Sequence, residues 1–165
     1  GFGYIGNHTF ILPRVKYLIP NGKNPDGTYK SIQVTVNNVK TQLIDAREVH
    51  KVVKDESFDY VLADVPCSGL GVISHKSDLK YNMTLDKIKE INALQKQILE
   101  NSSKFVKIKG HLVYSTCTIN KDENERLINE FLKSHNEFKK VEEHIIIQNY
   151  KTNEDGFYIA KLERI

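Results

Sequence analysis

Tyr60-Val-Leu-Ala63 is a short apolar run of strand formers, and Pro66 stops it abruptly. That is the pattern of a buried strand running into a loop. Upstream, Ile32, Val34 and Val36 alternate with polar residues, as do Val39, Thr41 and Leu43 beyond Asn37-Asn38. Two half-buried strands joined by a turn are expected there, the second ending at Asp45. Asp45 then either closes that strand or caps a helix over Arg47 to Lys54. Thr84 suits the N-cap of a long helix with Asp86 in its first turn, and Ile88, Ile91, Leu94, Ile98 and Phe105 mark its buried face. Gly110 is expected to stop that helix. His111 to Ser115 then forms a strand, with Thr116-Cys117-Thr118 at its carboxyl end. Asn120 and Glu123 have the spacing of a capping box ahead of Leu127, Ile128, Phe131 and Leu132. The chain closes with two strands, Val141 to Ile147 and Phe157 to Leu162, read as an antiparallel hairpin at a sheet edge.

The first residues are less regular. Gly1-Phe-Gly3-Tyr-Ile-Gly6 matches the G-x-G-x-x-G spelling of a dinucleotide loop, but that motif has mechanical meaning only between a strand and a helix. The sequence opens at the first of these glycines, so an incidental glycine-rich terminus is the plainer reading. Asn21-Gly22 and Asn24-Pro-Asp-Gly27 mark residues 20–28 as an exposed loop. Strands alternating with helices imply an α/β fold, with a mostly parallel sheet and one functional rim at the carboxyl ends of its strands.

At 165 residues one domain is expected, and 39% hydrophobic with 27% charged residues is ordinary for a soluble globular chain. A net charge of +3 and a pI near 8.7 permit an anionic partner without requiring one. No leader and no long apolar stretch is evident, which argues against a secretory route and against membrane insertion. Two cysteines without a C-x-x-C spacing point to reduced, cytosolic thiols.

Chemistry concentrates at two strand ends. Asp64 is followed three residues later by Cys67, and Ser68, Gly69 and Gly71 are small enough for a ligand to approach the backbone. A parallel sheet would bring Cys67 and Cys117 together. A lone cysteine often serves as a small buried hydrophobe, but two thiols just past strands suit nucleophilic chemistry. Zinc-ligand spacing is lacking, and a redox disulfide pair is a further possibility. Between these sites, His75 to Tyr81 is a basic linker, either solvated or RNA-facing through Lys76 and Lys80, with Tyr81 available for stacking.

Asp64-Val-Pro-Cys67-Ser-Gly-Leu-Gly71 and Tyr114-Ser-Thr-Cys117-Thr-Ile119 resemble the two cysteine motifs of RNA cytosine-C5 methyltransferases, above all the bacterial small-subunit ribosomal RNA branch, the RsmB (Sun/Fmu) family. The resemblance extends through His75 to Tyr81, Leu94-Gln95, Ile98-Leu99, Lys121 to Glu125 and Asp155 to Lys161, and so covers residues 43–165. It implies a Rossmann-like methyltransferase sheet with helices on both faces, in a single domain over residues 1–165 that is either whole or partial, with residues 1–42 as a divergent or non-family segment. It implies S-adenosyl-L-methionine as cofactor, held by Asp45 and Asp64, and ribosomal RNA as partner. By the same resemblance Cys117 is the nucleophile towards cytosine C6, Cys67 releases the adduct, and Asp64 contacts the base. Lys76, Lys80 and Tyr81 would face RNA. A cytoplasmic monomer without metal or membrane association is expected. The family's glycine- and proline-rich cofactor loop is not recognisable in residues 1–42. The alternative is therefore a catalytically impaired fragment that acts only as an RNA-binding module.

Overall fold

The computed structural model describes residues 2–6, 15–23, 29–36, 42–73, 83–147 and 154–165. In chain order the elements are β1 (Phe2–Gly6), β2 (Val15–Lys23), β3 (Tyr29–Val36), a 3-10 helix (Ala46–Lys51), β4 (Phe58–Asp64), α1 (Leu85–Ser103), β5 (Val106–Thr116), α2 (Glu125–Ser134), β6 (Phe138–Ile146) and β7 (Phe157–Arg164). They divide into two units, one of residues 8–44 and the other of residues 1–7 with 45–165.

The smaller unit is an antiparallel hairpin of β2 and β3. Its ladder is irregular between Pro20 and Lys23, where the proline nitrogen has no hydrogen to donate. Residues 20–23 thus belong to a strand and not to the loop expected over 20–28, the rest of which lies outside the described residues. Ile32 to Val36 is a strand as expected, but its partner is β2. The anticipated second strand is not found over residues 42–45, and the rest of it lies outside the described residues. Leu43, read as a buried alternating position, is 75% exposed. Asp45 consequently does not close a strand. It caps the 3-10 helix, its side chain accepting from the Arg47 amide.

The larger unit is a mixed α/β Rossmann-like sheet with flanking helices, in the strand order β1-β4-β5-β7-β6. β1, β4 and β5 run parallel, and β7 and β6 close the sheet antiparallel. The glycine-rich start therefore lies in a strand over Phe2–Gly6, with Gly6 beside Asp64. Val61, Ala63, Leu112, Tyr114, Tyr158, Ala160 and Leu162 turn one sheet face into a fully buried core with Ile98, Leu99, Leu127, Ile128 and Phe131 of the helices. Each aliphatic side chain buried in this way stabilises the fold by about 1.5–3 kcal/mol. Tyr114 and Tyr158 meet edge to face, their ring centroids 6.3 Å apart.

Two expectations shift along the chain here. α1 starts at Thr84 as its cap chemistry required, the hydroxyl accepting from the Lys87 amide, but it ends at Ser103 well before Gly110. Phe105 is not a helical residue; it is fully buried in the turn into β5. Gly110 lies inside β5, where the ladder with β4 is irregular between Phe58 and Tyr60. A Cβ there would lie 2.9 Å from the Asp59 carbonyl oxygen, so close backbone approach and not helix termination requires the glycine. Asn120 likewise does not cap α2. The N-cap position is Asn124, and it makes no side-chain cap bond.

Candidate active site

The parallel pairing of β4 with β5 sets Asp64 opposite Ser115 at the sheet rim. The Ser115 hydroxyl donates to the Asp64 Oδ1 at 2.9 Å, and the Val65 amide donates to the Ser115 carbonyl at 3.2 Å. The two chains then leave the sheet side by side. The Gly71 amide donates to the Cys117 carbonyl at 3.1 Å, and the Gly156 amide to the Gly71 carbonyl at 2.7 Å. Gly69 has φ 69°, a conformation that favours glycine.

This paired exit brings the two cysteines together. Cys67 Sγ lies 3.1 Å from Cys117 Sγ, neither in a disulfide and both partly buried. The hydrogen bond to Cys117 and burial push the Cys67 thiol well above its ordinary range. Once one sulfur of such a pair carries the negative charge, the other holds its proton. Beneath the thiols the loops are joined by buried polar bonds. Ser68 Oγ and Thr118 Oγ1 are 2.8 Å apart, Thr116 Oγ1 donates to Asn124 Oδ1 at 2.6 Å, and Asn124 Nδ2 donates to the Thr118 carbonyl at 2.9 Å.

One expectation about this loop is overturned. Gly71 does not leave room for a ligand: a Cβ there would fall 2.1 Å from the Gly156 carbonyl oxygen and 2.9 Å from that of Cys117. Its lack of a side chain serves loop-on-loop packing. Asp45 is largely exposed and bound by its neighbour, with Arg47 Nε donating to Oδ1 at 2.9 Å. The Arg47 side chain and amide hold its carboxyl down at about 2. Lys76, Lys80 and Tyr81 lie outside the described residues.

The residues to which sequence reasoning gave no site role are Gln95 and Glu123, both fully buried and bonded to the Cys67 loop. The signals for Glu123 were its spacing from Asn120 and its place in the Lys121-to-Glu125 match, and the local contact does exist: Asn120 Nδ2 donates to Glu123 Oε1 at 3.0 Å. Its other carboxylate oxygen faces inward. Gln95 is polar on the apolar side of α1, a signal that was available. Among the described residues, no group of three or more His, Cys, Asp or Glu is placed to hold a metal, and no helix is long and apolar enough to cross a membrane.

The family model for 16S rRNA methyltransferase RsmB/F matches residues 26–163. A probable ribosomal RNA small subunit methyltransferase B of Bacillus subtilis is 39% identical over 97 residues, covering 59% of this chain and 22% of that protein. A ribosomal RNA small subunit methyltransferase F of an Enterobacter species is 36% identical over 123 residues, covering 74% of this chain and 24% of that protein. Among solved structures, PH0851 superposes with a TM-score of 0.71 at 34% identity, covering 74% of this chain and 30% of its own. NSun6 from Pyrococcus horikoshii, solved with SFG, superposes with a TM-score of 0.65 at 28% identity, covering 78% of this chain and 35% of its own. The chain thus spans about a quarter of the length of the curated relatives it matches. With the family model matched over most of its length, the chain belongs to the 16S rRNA methyltransferase RsmB/F family.

Proposed function

We propose that this chain carries the two-thiol centre of an enzyme that methylates C5 of cytosine in 16S-type small-subunit ribosomal RNA, through a covalent adduct between cysteine and C6. The observation that carries this reading is the 3.1 Å approach of Cys67 and Cys117 at the rim of the parallel strands, beside Asp64.

Cytosine C5 is a weak nucleophile, and a thiolate adding to C6 remedies that. In our reading a sulfur lone pair of Cys117 forms the S–C6 bond, and the C5=C6 π pair moves towards C5. The neighbouring S–H of Cys67 stabilises the attacking thiolate. Addition turns Cys117 into a neutral thioether, so the Cys117 interactions that held the proton on Cys67 are lost and burial alone still raises that thiol. Cys67 then loses its proton to water and is free to act as a base. Once C5 has used that π pair to bond the methyl group that S-adenosylmethionine would supply, Cys67 accepts the C5 proton; the C–H electron pair restores C5=C6, the S–C6 bond breaks, and its electrons return to Cys117. Asp64, positioned by Ser115, holds the base by hydrogen bonds near N3. The flipped base must be gripped by its edge and faces, and Lys76, Lys80 and Tyr81 are proposed to meet the surrounding RNA.

S-adenosylmethionine, when bound, supplies the electrophilic methyl group. The donor set fits such a group: Asp45 and Asp64 offer carboxylates to hydroxyls and to positive charge, and Asp45 is ionised at any physiological pH. Residues 7–14, which follow β1, lie outside the described residues.

The test uses the chain with S-adenosylmethionine and small-subunit ribosomal RNA, resolved on denaturing gels. Cys67→Ala should accumulate a protein–RNA adduct, and Cys117→Ala should form none. Adduct formation by Cys117→Ala would overturn the assignment. RNA binding without an adduct in any variant would favour the RNA-binding module.

A further inference from the structure

The backbone on both sides of Cys67 is gripped by the same two buried side chains. Gln95 Nε2 donates to the Pro66 carbonyl at 2.9 Å, the last acceptor before the cysteine. Glu123 Oε2 accepts from the Ser68 amide at 2.8 Å, the first donor after it. The two side chains are bonded to each other, Gln95 Nε2 to Glu123 Oε2 at 3.0 Å. Glu123 is itself fixed through Asn120 Nδ2 on its other oxygen, and its backbone carbonyl accepts from the Tyr114 hydroxyl at 2.8 Å. Helix α1 and the segment leading into α2, itself tied to strand β5 through Tyr114, therefore converge on the two peptide groups that flank Cys67.

We infer that Gln95 and Glu123 form a positioning clamp that holds the Cys67 thiol against Cys117, and that this, more than stability, is their role. The inference rests on the two-thiol reading above. The chemistry of the pair supports it. Both are polar and fully buried, where an apolar pair of equal volume would cost less. Gln95 Oε1 has no hydrogen-bond partner among the described residues, a cost of about 1–3 kcal/mol that a purely structural side chain has no reason to carry. The amide orientation is nevertheless determined, because both Nε2 hydrogens are engaged. A carboxylate is also the one side-chain group able to accept from Ser68, Gln95 and Asn120 together without offering a donor in return. The bonds lie on the peptide groups flanking Cys67, so their loss lets the loop rotate and the 3.1 Å sulfur contact lengthen.

The experiment needs neither RNA nor cofactor. The pH dependence of iodoacetamide alkylation is measured at Cys117 by mass spectrometry, in the chain and in Cys67→Ala, Gln95→Met and Glu123→Gln, alone and combined with Cys67→Ala. Ser102→Ala, which removes a buried hydroxyl bonded within α1, serves as the control for lost stability. Cys67→Ala should move the Cys117 midpoint up by about one unit, the loss of one good hydrogen-bond donor to a thiolate. Gln95→Met and Glu123→Gln should each reproduce most of that shift, and adding Cys67→Ala to either should add little. Ser102→Ala should lower the melting temperature and leave the midpoint in place. The clamp is refuted if Gln95→Met keeps the wild-type midpoint while Cys67→Ala shifts it, and this arm holds even if Glu123→Gln fails to fold. If Cys67→Ala itself shifts nothing, the two-thiol reading fails, together with the clamp that rests on it.

Discussion

Substituting Gly71 by alanine tests how closely the cysteine loops are packed. The added methyl would lie 2.1 Å from the Gly156 carbonyl oxygen, 2.7 Å from its carbon and 2.9 Å from the Cys117 carbonyl oxygen. All three are backbone atoms, so no side chain can swing aside. Relief requires the loops to part by more than an ångström, which breaks the Gly156-to-Gly71 bond and strains the Gly71-to-Cys117 bond. A buried backbone bond lost without replacement costs about 1–3 kcal/mol, and the strained one adds part of that again. Partial relaxation brings the total to about 3–4 kcal/mol, at the upper end of overpacking effects. Against a total stability of about 5–15 kcal/mol this is a large fraction, and it corresponds to a fall in melting temperature on the order of 10 °C. Thermal unfolding followed by circular dichroism measures the fall. Cys117 alkylation in the same variant should change as well, because the displaced carbonyl belongs to Cys117. A loss below about 1 kcal/mol, with thiol reactivity unchanged, would mean that the loops have slack and that the reasoning about the 3.1 Å contact is wrong.

Two further outcomes follow from the same structure. Tyr114→Phe removes the hydroxyl that donates to the Glu123 carbonyl in the core, so denaturant unfolding should show a loss of about 1–2 kcal/mol, and an unchanged midpoint would refute the bond's contribution. Asp45, held down at about 2 by Arg47, should favour the 3-10 helix fully above the ordinary carboxylate range and cease to do so as pH falls through about 2. A carboxyl titration followed by nuclear magnetic resonance that gave Asp45 an ordinary midpoint would contradict the Arg47 contact.

What the sequence revealed and what it hid divide along one physical line. The meeting of Cys67 and Cys117 was legible because it is a matter of topology: two thiols just beyond neighbouring parallel strands must emerge on the same rim. The start of α1 was legible because Thr84 acts within its own helical turn. Its end was not. Phe105 continues the apolar period of Ile98, and Gly110 imitates a helix stop, whereas the burial of Phe105 in the turn into β5 ends the helix earlier. Glu123 is the sharpest case. A Glu three residues beyond an Asn is degenerate between a surface capping box and a carboxylate turned inward, and the local bond to Asn120 forms in this inward arrangement as well. What decides between them is whether donors wait inside, and these come from Ser68 and Gln95, on other elements and far away in sequence. Reactive residues at strand ends can therefore be found from pattern alone. The groups that aim them cannot, because a positioning contact gets its meaning from partners that only the folded sheet brings near.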